Sequence, residues 1–84
     1  MKLTNKEKLL NQTIGDILEE LEKAEKKYPD FPKDKVHAVS VMNEEAGESI
    51  RAVLNHVYHD GDIEDLRKEL IQTGAMVIRN LINL

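Results

Sequence analysis

The sequence predicts an all-α fold, and three observations lead to it. Apolar residues recur at steps of three and four in three successive segments. No segment alternates polar and apolar residues long enough to make a strand. Two breaks, "YPDFP" and "HDGD", separate the three segments. A chain of 84 residues is enough for one small domain, read here as 1–84.

The first helix is expected over about 5–27. Thr4 and Glu7 form a capping box, in which each satisfies a free group at the helix start. Leu10, Ile14, Ile17, Leu21, Ala24 and Tyr28 then follow at alternating steps of four and three. Gly15 lies within the helix at a cost of about 1 kcal/mol relative to alanine, which suggests close packing there. Pro29 and Pro32 end the helix, since proline lacks the amide donor and disfavours helical geometry before it.

Asp34 caps a second helix, expected over 35–59, whose stripe runs Val39, Met42, Ala46, Ile50, Val53 and Val57. Ala38, Val41 and Ala52 add a second apolar flank, so little of its circumference is polar. Such a helix belongs in the middle of a bundle. Three short helices from one chain cover it poorly, so a neighbour's helices are expected to complete a four-helix arrangement, as a dimer or tetramer. Gly61 is expected to take the left-handed conformation after the helix end. Asp62 and Asp65 open a third helix, 63–82, carrying Ile63, Leu66, Leu70, Val77, Leu81 and Leu84, antiparallel to the second.

Composition narrows the function. A net charge of −4 with scattered basic residues argues against nucleic-acid binding, which needs a basic stripe. The absence of cysteine removes disulfides and thiolate zinc sites. The opening "MKLTNKEKLL" turns polar at Asn11 before an apolar core forms, so no secretory leader is read there. No apolar run approaches the roughly 20 residues of a bilayer span. A soluble cytoplasmic protein without membrane partners is expected.

The chemistry lies in "NEEAGES", residues 43–49. Residues three apart on a helix lie about 60° apart around the axis and about 4.5 Å along it. Glu45 and Glu48 therefore share the flank of Val41 and Ala52, with Glu44 on its more polar border. Gly47 is read as opening space between these carboxylates. Two carboxylates about 5 Å apart repel by about 3 kcal/mol at an effective dielectric of 20. If half-buried, they need protons or a hard divalent cation. On the third helix Glu69, Gln72, Met76, Arg79 and Asn80 share a flank away from the leucine stripe, and Glu69 and Gln72 repeat the three-residue spacing. The bland alternative is a solvated acidic surface. Two further features have bland readings of their own. His56 and His59 stand at a helix end, where they complement the dipole, and His37 is a half-exposed structural residue unless it touches a base or phosphate.

"NEEAGES", twenty residues, then "ELIQ" resembles the Glu-x-x-Glu … Glu-x-x-Asp pattern of MazG-like nucleotide pyrophosphohydrolases. The resemblance covers roughly 31–81, where "FPKDKVHAVSVMNEEAGE" with "ELIQTGAMVIRNL" looks particularly like small stand-alone types of bacteria and phages. It implies an all-α magnesium enzyme, with manganese as a substitute, that splits nucleoside triphosphates into monophosphate and pyrophosphate. On this resemblance Glu45, Glu48, Glu69 and Gln72 hold the metal. Glu44 or Glu48 takes the proton from water. From their own placement, His37, Met76, Arg79 and Asn80 are the candidate substrate contacts: Met76 lines a nucleotide pocket or packs against the second helix, and Arg79 holds a phosphate or is a solvated arginine. Gln72 departs from the pattern, because it offers an oxygen but no charge. The runner-up reading is a non-catalytic helical oligomerisation or nucleotide-binding module with a degenerate metal site.

Overall fold

The capping side chains sit where the helices begin. The computed structural model describes residues 2–84 and contains α1 (Asn5–Lys27), α2 (Lys35–Tyr58) and α3 (Ile63–Ile82). The Glu7 amide donates to Thr4 Oγ1 at 3.1 Å, and Thr4 in turn donates to the Glu7 carboxylate. The amides of Val36 and His37 donate to Asp34 Oδ1, and that of Glu64 to Asp62 Oδ1. Each cap satisfies amides that a helix start leaves free.

The turn between α2 and α3 differs from expectation. Asp60, with φ 54°, takes the left-handed conformation, and no glycine has positive φ. Gly61 is needed for proximity instead. A Cβ there would lie 3.0 Å from the Asn55 carbonyl carbon, and its own amide donates to the Asn55 carbonyl. His56 closes the turn by donating from Nδ1 to the Gly61 carbonyl at 2.7 Å. That bond gives His56 a structural task.

The arrangement of helices also differs. Within the chain α3, not α2, is the middle helix: it packs against both α2 and α1, which do not pack against each other. The α2–α3 seam is built from small residues. Ala38, Ser49 and Ala75 are buried, and Ser49 and Thr73 hydroxyls meet at 3.3 Å. Thr73 uses its proton on the Glu69 carbonyl, so Ser49 is the donor. On the other side of α3, Gly74 lets Ile17 approach, since a Cβ there would stand 3.2 Å from its Cδ1. Arg67 and Asp16 pair across the same contact at 2.5 Å.

This choice of seam leaves the longer apolar stripes outside. Val39, Ile50 and Val57 of α2, and Leu70, Val77 and Leu81 of α3, are exposed. The radius of gyration is 14.7 Å, against about 12 Å for a compact chain of this length. The accessible surface is 6740 Å², against about 5,100 Å² for a compact protein of this mass. No helix among the described residues is long and apolar enough to cross a membrane.

Two glycines separate the roles described. A Cβ at Gly15 meets nothing within 4 Å, so no close packing explains it within the chain. Gly15→Ala is expected to raise the melting temperature by several degrees through helix propensity alone. Gly61→Ala is expected to lower it by a similar amount, because the turn must open around Asn55. Thermal melts followed by circular dichroism check both signs.

Candidate metal centre and adjoining cavity

The small-residue seam brings three glutamates together. One carboxylate oxygen each from Glu45, Glu48 and Glu69 lie within 4.8 Å of one another, with Glu45 and Glu69 half-buried and Glu48 exposed. Glu69 Oε2 is out of reach of water and has no hydrogen-bond partner among the described residues. An unpartnered buried oxygen costs free energy unless a proton or cation supplies the missing interaction.

The electrostatics follow from this crowding. Burial raises the Glu69 carboxyl above its ordinary range most strongly. The close approach of Glu48, then the charge of Glu45, raise it further, and Lys68 opposes them. Burial also raises Glu45, followed by the charges of Glu48, Glu44 and Glu20. All donors are carboxylate oxygens, which suits a hard divalent cation better than a soft transition metal.

The cluster stands between two cavities. The larger, about 450 Å³, lies between the end of α1, the connecting segment, α2 and α3. Glu45 and Gln72 line one part of it; Tyr28, Phe31, Met76 and Arg79 line it as well. The smaller, about 220 Å³, is polar and has Glu48, Glu69, Arg51 and Asn55 on its wall. Glu45 thus belongs to one cavity, Glu48 and Glu69 to the other.

The remaining candidates divide. Met76 and Arg79 line the larger cavity. Arg79 is buried, donates to the Tyr28 carbonyl and lies over the Phe31 ring at 5.3 Å. Glu44 is exposed, outside the cluster and both cavities, and acts on Glu45 through its charge. His37 is exposed on the first turn of α2 and lines neither cavity. Asn80 donates to the Met76 carbonyl at 3.0 Å and lines neither.

Gly47 does not open space between the carboxylates. At 100° per residue it lies within about 20° of Val36 and Leu54, on the outer face of α2. It is exposed, and a Cβ there meets nothing within 4 Å.

Sequence reasoning missed Glu20, which reaches the larger cavity from α1 and raises Glu45 through its charge. Nothing distinguishes it from the other glutamates of α1. Phe31 carried a signal: it is the single phenylalanine of the chain, set beside a proline.

Comparisons of the chain with protein-family models, curated proteins and solved structures return no match.

The raised carboxyls give a pH dependence with a definite sign. A group that holds its proton more tightly when folded stabilises the fold at low pH, and that contribution falls as pH rises from the ordinary value of 4.5. In metal-free buffer the melting temperature should therefore fall between pH 4.5 and neutrality through Glu45 and Glu69. Glu69→Gln should flatten this trend and raise stability at pH 7. Melts across pH 4–8 with a chelator present measure both.

Proposed function

We propose that the chain is a magnesium-dependent nucleoside triphosphate pyrophosphohydrolase of MazG-like type. The observation that carries the reading is the carboxylate triad within 4.8 Å, with an orphaned buried oxygen, at the edge of a 450 Å³ cavity. That volume falls in the range of small-molecule sites. Glu45, Glu48 and Glu69 would hold the ion, with Gln72 as a neutral oxygen donor from the cavity wall. Bound there, magnesium would neutralise phosphate charge and favour attack of water at phosphorus.

The chain's own part is to position and to move a proton. Glu48 is the exposed member of the triad, and serves as the general base on the incoming water. Glu44 raises the proton affinity of Glu45 by its charge. The larger cavity takes the nucleoside between Phe31, Tyr28 and Met76, in the cytoplasm where nucleotides are held. Gln72 in place of an acid favours a second reading, a nucleotide-binding module without turnover.

In this reading α2 and α3 run antiparallel. Early α2 and late α3 supply Ala38 and Arg79 to one cavity, while late α2 and early α3 supply Asn55 and Asp65 to the other. The exposed stripes of the two helices then fall on one side, and a second copy covers them. The surface in excess of a compact monomer is about 1,600 Å², comparable to what each subunit of an obligate homodimer buries. Gly47 on that outer face permits close approach of the neighbour's backbone.

Three outcomes are expected. Magnesium or manganese raises the melting temperature by mass action, and Glu48→Gln or Glu69→Gln removes the gain. Equal shifts in all three proteins would place the ion elsewhere. Magnesium-dependent pyrophosphate release from a panel of triphosphates separates the enzyme from the binding module. Gln72→Asp restores a fourth charge and should tighten magnesium binding at least severalfold by calorimetry, with faster turnover.

Light scattering at micromolar concentration should report at least a dimer. Gly47→Leu, whose Cβ meets nothing within 4 Å among the described residues, should weaken that assembly without loss of helix content. A stable compact monomer in the unaltered protein would refute the assembly.

A further inference from the structure

Arg79 is the buried cation of the larger cavity, and its surroundings bear on the ligand. Only 5% of its surface is exposed, and no carboxylate among the described residues pairs with it. One Nη2 hydrogen goes to the Tyr28 carbonyl, and the guanidinium lies over Phe31. Nε and Nη1 have no acceptor among the described residues, yet neither is sealed from accessible space. A buried guanidinium with free donors on a cavity wall calls for an acceptor from the ligand.

Position decides which part of the ligand that is. Arg79 lies seven residues beyond Gln72 and ten beyond Glu69, about 10 and 15 Å along α3. Phosphates gathered at the triad put the opposite end of the nucleotide near Arg79. The wall there is apolar and aromatic, with Phe31, Tyr28 and Met76, which suits a base ring.

Resting on the pyrophosphohydrolase reading, we infer that Arg79 reads the nucleobase and selects bases that present two adjacent acceptors. A guanidinium fork matches O6 and N7 of guanine, or O2 and N3 of cytosine. Adenine sets an amino donor beside each ring acceptor on its hydrogen-bonding edges, and so opposes the fork. Uracil and thymine place an N–H between their carbonyls and offer only single acceptors. The Tyr28 carbonyl and Phe31 hold the fork in place, so that little side-chain freedom is lost on binding.

The test uses nucleoside monophosphates and a chelator, so that it does not depend on the metal. Titration calorimetry with GMP, CMP and AMP should show GMP or CMP binding at least about tenfold more tightly than AMP. The GMP and CMP arms identify which acceptor pair fits. Arg79→Lys keeps the charge but not the fork, and should bring the preferred base to within about threefold of AMP. Arg79→Met should do the same, and a melt of each variant confirms that it folds. Equal affinities for the three monophosphates in the unaltered protein would overturn the inference, as would no binding of GMP or CMP at millimolar concentration. So would competition by inorganic tripolyphosphate that is lost in Arg79→Lys, which would place phosphate at Arg79. Magnesium-dependent pyrophosphate release, measured separately, judges the underlying reading, and it can succeed while base selection fails.

Discussion

The close seam between α2 and α3 is the constraint on which the rest of the molecule depends. Ala38, Ser49 and Ala75 present almost no side chain, so the two backbones approach and their neighbours are forced together. Glu45 and Glu48 then meet Glu69, and burial of Glu69 Oε2 follows from the same proximity. Burying larger apolar residues here would have contributed more free energy per residue. A seam of small residues instead contributes little burial and brings like charges together. Folding has to offset both.

What offsets them lies partly in α1. It packs on α3 through Ile17 against Gly74, and its C-terminal end walls the larger cavity with Ala24 and Tyr28. Arg79 joins that end to α3 by donating to the Tyr28 carbonyl. The connecting segment is thereby held over the cavity by a charge-assisted bond and a ring contact, interactions of about 1–3 kcal/mol each. The structure is nevertheless open, because α1 and α2 never meet. An open layer of three helices exposes apolar stripes that a compact bundle would bury. The acidic cluster and the uncovered stripes are two consequences of one packing choice.

The cluster and the two cavities form one electrostatic unit. Glu45 belongs to the larger cavity, and Glu48 and Glu69 to the smaller. A cation held by all three would therefore touch both. Arg79 supplies positive charge within the larger cavity and Arg51 at the smaller. A ligand with anionic and acceptor groups at separate points fits that distribution better than a purely apolar one does.

Helix boundaries were legible in the sequence because caps and breakers act over four residues or fewer. Thr4, Asp34 and Asp62 fall at the observed N-caps, and "YPDFP" and "HDGD" at the breaks. Helical spacing also made it legible that Glu45 and Glu48 share one flank of α2, whereas their meeting with Glu69 across the seam was an expectation that rested on the family resemblance. Which flank turns inward was not legible. α2 is apolar on two sides, and periodicity ranks them by hydrophobicity, whereas the seam formed where side chains were smallest. The left-handed residue fell at Asp60 rather than Gly61 because contact with Asn55, not backbone freedom, required the glycine. The part played by Glu20 and Phe31 was likewise decided only in three dimensions, where α1 and its exit segment meet α3. A one-dimensional pattern records what each helix offers, while the choice among its faces depends on the shape of the helix it meets.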